Sequence, residues 1–182
     1  MEMPEDFDRQ RLVREKIEKS EEKAVKQLSL IRESIRDYLV AAKGYREDDI
    51  ERDTVFEIRV DEKREYISVD YIINLNGVRF MVLKCSPGAL ESRERHLVSF
   101  ARVVDTYQIP FAMVTDGFRA RLLDTVTGKL LAEGLDSIPD RSQAEEMIRA
   151  TTLTAYQSER MEREKRVLLA FEAIECTKES GG

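Results

Sequence analysis

The sequence predicts a mixed α/β domain with a core of about five strands flanked by helices and a long helix at each end. Three observations predict it. Apolar residues between Ala24 and Ala42 recur every three or four positions, as on one buried helix face. Two apolar runs flank Asn76-Gly77, the dipeptide best suited to a tight hairpin. The remaining segments alternate between helix-like and strand-like patterns, in the order helix, three strands, helix, two strands, helix.

Each element has its own local reason. Residues 8–43 read as one long helix or two consecutive ones. "DRQRLVREKIEKSEEK" is mostly charged, whereas Ala24, Val25, Leu28, Ile31, Ile35, Tyr38, Leu39 and Ala42 mark the core-facing part, with Gly44 as C-cap. "TVFEIRV" (54–60) alternates and "DEKRE" turns the chain. "YISVDYIINL" (66–75) and "VRFMVLKC" (78–85) form the hairpin. Residues 89–107 carry Leu90, Leu97, Phe100, Ala101 and Val104 at helical spacing. "IPFAMVT" (109–115) is apolar enough for a central strand, "FRARLLDT" (118–125) follows Asp116-Gly117, and "VTGK" turns again. A last helical region runs from about 142 to 178, with "SERMEREKR" as a solvated face of mixed charge. The division follows: a helical segment 1–43 packing on the core, a core 44–135, and a helical extension 136–182.

Composition narrows the function. The chain has 182 residues, 42% apolar and 36% charged, with a net charge of −6. Phosphate affinity comes mostly from Lys and Arg, so an acidic chain is a poor non-specific nucleic-acid binder. Two cysteines far apart and one histidine exclude a Cys/His zinc site. "MEMPEDFDRQR" has no apolar signal region, and no run approaches the roughly 20 apolar residues needed to span a bilayer. A cytoplasmic protein without membrane contact is expected.

With Asn76-Gly77 as a two-residue turn, the expected register pairs Leu75 with Val78, Ile73 with Phe80, Tyr71 with Val82 and Asp70 with Leu83. One face then carries Val69, Tyr71, Ile73, Phe80 and Val82, ending in Lys84. The other carries Asp70, Ile72, Arg79, Met81, Leu83 and Cys85. Asp70 is the only acid within the two strands. Two acids across a hairpin with a lysine two residues beyond the second would suit Mg²⁺ and an attacking water. Here Leu83 and Cys85 stand at those two positions.

From about Leu39 to Leu131 the chain resembles the N-terminal nuclease domain of type I restriction enzyme R subunits, of the PD-(D/E)xK, restriction-endonuclease-like superfamily. The resemblance rests on "KGYREDDI" (43–50), "YISVDYIINL", Asn-Gly, "VRFMVLKCSPG", "RERHLVSFARVV" (93–104), "IPFAMVTDG" (109–117) and "FRARLLD" (118–124). It implies a restriction-endonuclease-like core in which Asp70 matches the metal-binding aspartate. Leu83 replaces the glutamate and Cys85 the lysine. His96 and Phe100 stand at the family's helix glutamine and tyrosine, and Thr115-Asp116-Gly117 matches its Thr-Asn-Gly.

The expected function is therefore a nuclease-fold protein with degenerate catalysis, acting as a binding or scaffolding module without a cofactor. If cleavage persists, it is Mg²⁺-dependent endonuclease chemistry on DNA. Asp70 and Lys84 are then the catalytic candidates, and Asp70 with Glu57 the metal ligands. Glu33, Glu91 and Glu94 are alternative acids. The plainer readings are a hydrogen-bonded structural acid for Asp70, a snorkelling lysine for Lys84 and a small buried side chain for Cys85. A Cys85–His96 nucleophilic pair lacks an orienting third group. Arg93, Arg95, Arg119 and Arg121 are the candidate DNA contacts, diluted by Glu91 and Glu94. A third reading is structural: the terminal helices pair with each other or with a second copy to give a homodimer.

Overall fold

A computed structural model describes residues 5–180, with side chains from 10 to 173. Helix α1 (Glu5–Ala41) leads through a single 3-10 turn into β1 (Ile50–Arg52). Strands β2 (Val55–Val60) and β3 (Lys63–Ser68) form a separate two-stranded sheet, turning at Asp61-Glu62. Then come β4 (Tyr71–Leu75), β5 (Val78–Cys85), α2 (Glu91–Val103), β6 (Phe111–Thr115), β7 (Ala120–Asp124), β8 (Leu130–Glu133), α3 (Arg141–Ala150) and α4 (Ser158–Ser180). The main sheet has the order β1-β4-β5-β6-β7-β8 and is antiparallel except between β5 and β6, which α2 connects. The mixed α/β class predicted from sequence holds. Two short edge strands, β1 and β8, extend the main sheet beyond the expected set. Among the described residues, no helix is long and apolar enough to cross a membrane.

The main sheet is buried on both faces. Ile31, Ile35 and Leu39 of α1 and Ala144 of α3 pack with Tyr71, Ile73, Phe80, Met81, Leu83 and Cys85 on one face. Leu97, Phe100 and Ala101 of α2 and Leu168 of α4 pack with Ile72, Val82, Ala112 and Val114 on the other. Helix α4 also packs against β2 and β3. The terminal helices thus cover opposite faces, and among the described residues α1 and α4 do not pack extensively on each other. Val13, Ile17 and Ala24 continue the line of Leu28, Ile31 and Ile35 along α1, but from residue 10 to 27 every side chain is exposed.

The final helical region is two helices. Thr151, Thr152 and Thr154 crowd a helix at χ1 and favour extended backbone. The strand-like segment is tied down where Gln108 N–H donates to the Thr154 carbonyl at 2.9 Å. The earlier stretch 66–75 also divides, at Val69-Asp70, where the chain leaves the small sheet for the large one.

The hairpin turn has the expected form: Asn76 and Gly77 take φ of 54° and 83°, and Leu75 pairs with Val78. The register beyond it is corrected. Asn74 pairs with Arg79, but then a bulge makes Phe80 the extra residue, so Ile73 pairs with Met81, Ile72 with Val82 and Tyr71 with Leu83. Phe80 and Met81 both lie in the α1-side core, where Phe80 stacks at a tilt on Phe111 with centroids 5.0 Å apart. The Arg79 N–H beside the bulge donates to the Tyr107 hydroxyl at 2.7 Å. A strand buried on both faces has no polar alternation to fix its register, so the sequence alone does not reveal the slip. Three face assignments change with it. Tyr71 and Ile73 share a face with Leu83 and Cys85, Val69 and Ile72 lie on the α2 side, and Asp70 sits ahead of β4 and not opposite Leu83.

Candidate functional site

Asp70 occupies the crossing from the small sheet to the large one. It is 6% exposed. Its carboxylate turns towards the end of β5, where Oδ2 accepts the Cys85 N–H at 2.7 Å. The side chain thereby replaces a strand that is not there: β4 begins only at Tyr71, and the Asp70 carboxylate supplies the acceptor for the next amide of β5. Oδ1 lies 3.1 Å from Nε of Arg32 on α1. The same guanidinium donates through Nη2 to Asp53, in the β1–β2 turn. Asp53 has φ of 48° and its N–H points at the Asp70 carbonyl, 3.4 Å away. The Tyr71 hydroxyl donates to the Arg32 carbonyl at 2.8 Å and fixes the helix at the same point.

Electrostatics follow from this packing. Burial alone would weaken the charge on Arg32, but Asp70 and then Asp53 hold its pKa above the ordinary arginine value. Burial, reinforced by the Asp70 charge, pushes the Cys85 thiol up to about 12. A thiol in that range is protonated at neutral pH, so Cys85 is no nucleophile. His96 lies across the sheet on α2, buried against α4 with its ring 5.2 Å from Phe171 and Nε2 3.5 Å from Glu172. The structure does not bring Cys85 and His96 together.

The other candidates are also dispersed. Lys84 is half-buried and pairs in register with Val114, so by strand alternation it leaves β5 on the α2 face, opposite to Leu83 and Cys85, although its charge is still felt at the Cys85 thiol. Glu57 belongs to the small sheet, where it binds Arg59, Arg64 and the Tyr66 hydroxyl. Glu33 is exposed on α1, and Glu91 and Glu94 pair with Arg121. Among the described residues, no three or more Asp, Glu, His or Cys residues cluster to hold a metal. Mg²⁺ requires a near-octahedral set of oxygens. The surroundings of Asp70 offer instead a guanidinium shared with one other acid, Asp53, an amide N–H and the Cys85 thiol. These residues do not fit the ion.

The arginine candidates are largely neutralised. Arg95 binds Glu164, Arg119 binds Asp116, and Arg121 binds Glu94 and Glu133. Arg93 on α2 also has a partner. Arg95, itself half-exposed, reaches in to the knot around buried Glu164 that seats α4 on α2. Glu164, 3% exposed, accepts from Arg95 at 2.5 Å, Ser99 at 2.7 Å, Tyr156 at 2.9 Å and Arg102 at 3.2 Å. Burial would raise this carboxyl, but the hydrogen bonds from Arg95, Ser99 and Tyr156 and the Arg95 charge outweigh it and hold it at about 2.

Sequence reasoning locates Asp70 but misses Arg32 and Asp53. The one available signal is that Arg32 flanks the buried stripe of Ile31 and Ile35 and so lies at the core margin. A family model for the type I restriction enzyme R protein N terminus matches residues 28–139, from the core-facing part of α1 to the loop before α3. No curated protein and no solved structure matches the chain significantly.

Proposed function

Because the chain belongs to the family of type I restriction enzyme R protein N-termini, we propose that it is a nuclease-fold module that has lost metal-dependent cleavage and works by binding or scaffolding. The observation that carries this reading is the donor set around Asp70. Its oxygens are taken up by an ion pair with Arg32 and a hydrogen bond from the Cys85 amide, and the family resemblance puts Leu83 at the position of the second PD-(D/E)xK acid. Nuclease chemistry requires oxygens free to hold a metal and a base or lysine to position water. Among the described residues, no hydrogen bond or ion pair joins Lys84 or Glu57 to Asp70, which supports the reading. The pairing of Arg95, Arg119 and Arg121 with carboxylates also limits the charge available to phosphates, which favours a protein partner over DNA. Incubation with plasmid and linear DNA at millimolar Mg²⁺ or Mn²⁺ tests the reading. The expected result is intact DNA. Cleavage that Asp70→Ala abolishes would overturn it.

A second reading, self-association through α1, is favoured by one observation. Val13, Ile17 and Ala24 form an exposed extension of the very stripe that α1 buries at Ile31 and Ile35. A second copy of α1 is the natural cover for this face, because an amphipathic stripe is stable in water when buried against another. Light scattering is expected to give twice the chain mass, reduced to the monomer by Val13→Lys with Ile17→Lys. A monomer before substitution would rule it out.

A further inference from the structure

We infer that Arg32 takes the place of the divalent cation in this domain, so that the acidic pair Asp53 and Asp70 is held by a cation that is part of the chain. The inference rests on the reading above and extends it: the site has changed occupant as well as losing ligands.

Three features carry it. Arg32 donates a hydrogen bond to Asp53 through Nη2 and forms an ion pair with Asp70 through Nε, adjacent nitrogens on one edge of the guanidinium, so the two carboxylates converge on a single small region. The Asp53 N–H and Asp70 carbonyl bring the two backbones together there. The arginine also comes from a fixed direction, since Tyr71 holds the Arg32 carbonyl and Ile31 and Ile35 bury the helix on either side. A planar guanidinium on two carboxylates balances charge as a divalent ion would in part, but it brings no open position for water. The acids are thus assembled and partly neutralised without metal. Two carboxylates with several waters are, however, a common setting for Mg²⁺ or Mn²⁺. Removing the guanidinium should therefore turn the pair into a weak divalent-cation site.

The test uses Mn²⁺ alone as probe, with free Mn²⁺ read by electron paramagnetic resonance and the melting temperature read in parallel. The wild-type chain is expected to show no Mn²⁺-dependent rise in melting temperature. Arg32→Gln is expected to bind Mn²⁺ about tenfold or more tightly than wild type, to melt higher in its presence, and to lose both effects when Asp53→Asn or Asp70→Asn is added. If Arg32→Gln does not fold alone, Mn²⁺ should restore its helical circular dichroism, and Arg32→Met should behave alike. A folded Arg32→Gln that gains no Mn²⁺ affinity, an unfolded one that Mn²⁺ does not rescue, or wild type binding Mn²⁺ equally well would overturn the inference. Mg²⁺-dependent DNA cleavage by wild type would instead overturn the functional reading, so the two failures are distinguishable.

Discussion

Glu164→Ala will destabilise the protein by about 3 kcal/mol, because it leaves the mostly buried Arg102 and the half-exposed Arg95 without their counter-charge. Arg95, Arg102, Ser99 and Tyr156 all converge on this carboxylate. Ser99 keeps the Arg95 carbonyl and Arg102 keeps the Thr125 and Val126 carbonyls, but none of these acceptors carries a counter-charge. Helix α4 contributes Leu168 to the core between α2 and the small sheet, so its release exposes apolar surface as well. For a chain of this size the loss corresponds to a fall of about 6–12 °C in melting temperature. Glu164→Gln keeps an acceptor and will cost less. The pH dependence has a definite sign. The folded carboxyl titrates at about 2, whereas an unfolded glutamate titrates near 4.3. The stabilisation is therefore complete above the unfolded value, and is lost as pH falls from about 4 through 2. Acid unfolding followed by circular dichroism will show a transition in that window that is shallower in Glu164→Gln.

Asp70→Ala will also be strongly destabilising, again by about 3 kcal/mol, from an unsatisfied buried N–H and a weakened ion pair. Truncation leaves the Cys85 amide without an acceptor at the end of β5 and leaves Arg32 with Asp53 alone. Asp70→Asn preserves an oxygen for the amide, so it will lose only the charge component. This pattern separates a structural acid from a catalytic one. Catalytic carboxylates are held in strained or repulsive surroundings, and their removal is commonly neutral or stabilising.

Much of this was legible in the sequence, for physical reasons that differ by element. The stripe from Leu28 to Leu39 has one helical period and one buried face, so its role followed from spacing. Asn76-Gly77 is demanded by positive φ at both turn positions. The bulge at Phe80 was not legible, because β4 and β5 are apolar on both faces and either register buries the same residue types. The break between α3 and α4 was marked only by a short run of threonines. At the site, the replacement of the expected acid and lysine by Leu83 and Cys85 could be read directly. The partnership of Asp70 with Arg32 could not, since it joins residues on a helix and a strand crossing that only the packed sheet brings together. The role of Glu164 was equally hidden inside "SERMEREKR", where the i,i+4 reading of a solvated face concealed the one carboxylate that points inward.

The claim that Asp70 is a structural acid neutralised from within is tested most directly by its unfolding free energy. Denaturant unfolding of wild type and Asp70→Ala, each with and without millimolar Mn²⁺, gives that quantity. The account predicts a large loss of stability in Asp70→Ala and no effect of Mn²⁺ on either protein. An Asp70→Ala variant as stable as wild type, or a wild-type protein stabilised by Mn²⁺ where the variant is not, would contradict it and return Asp70 to the role of a metal ligand.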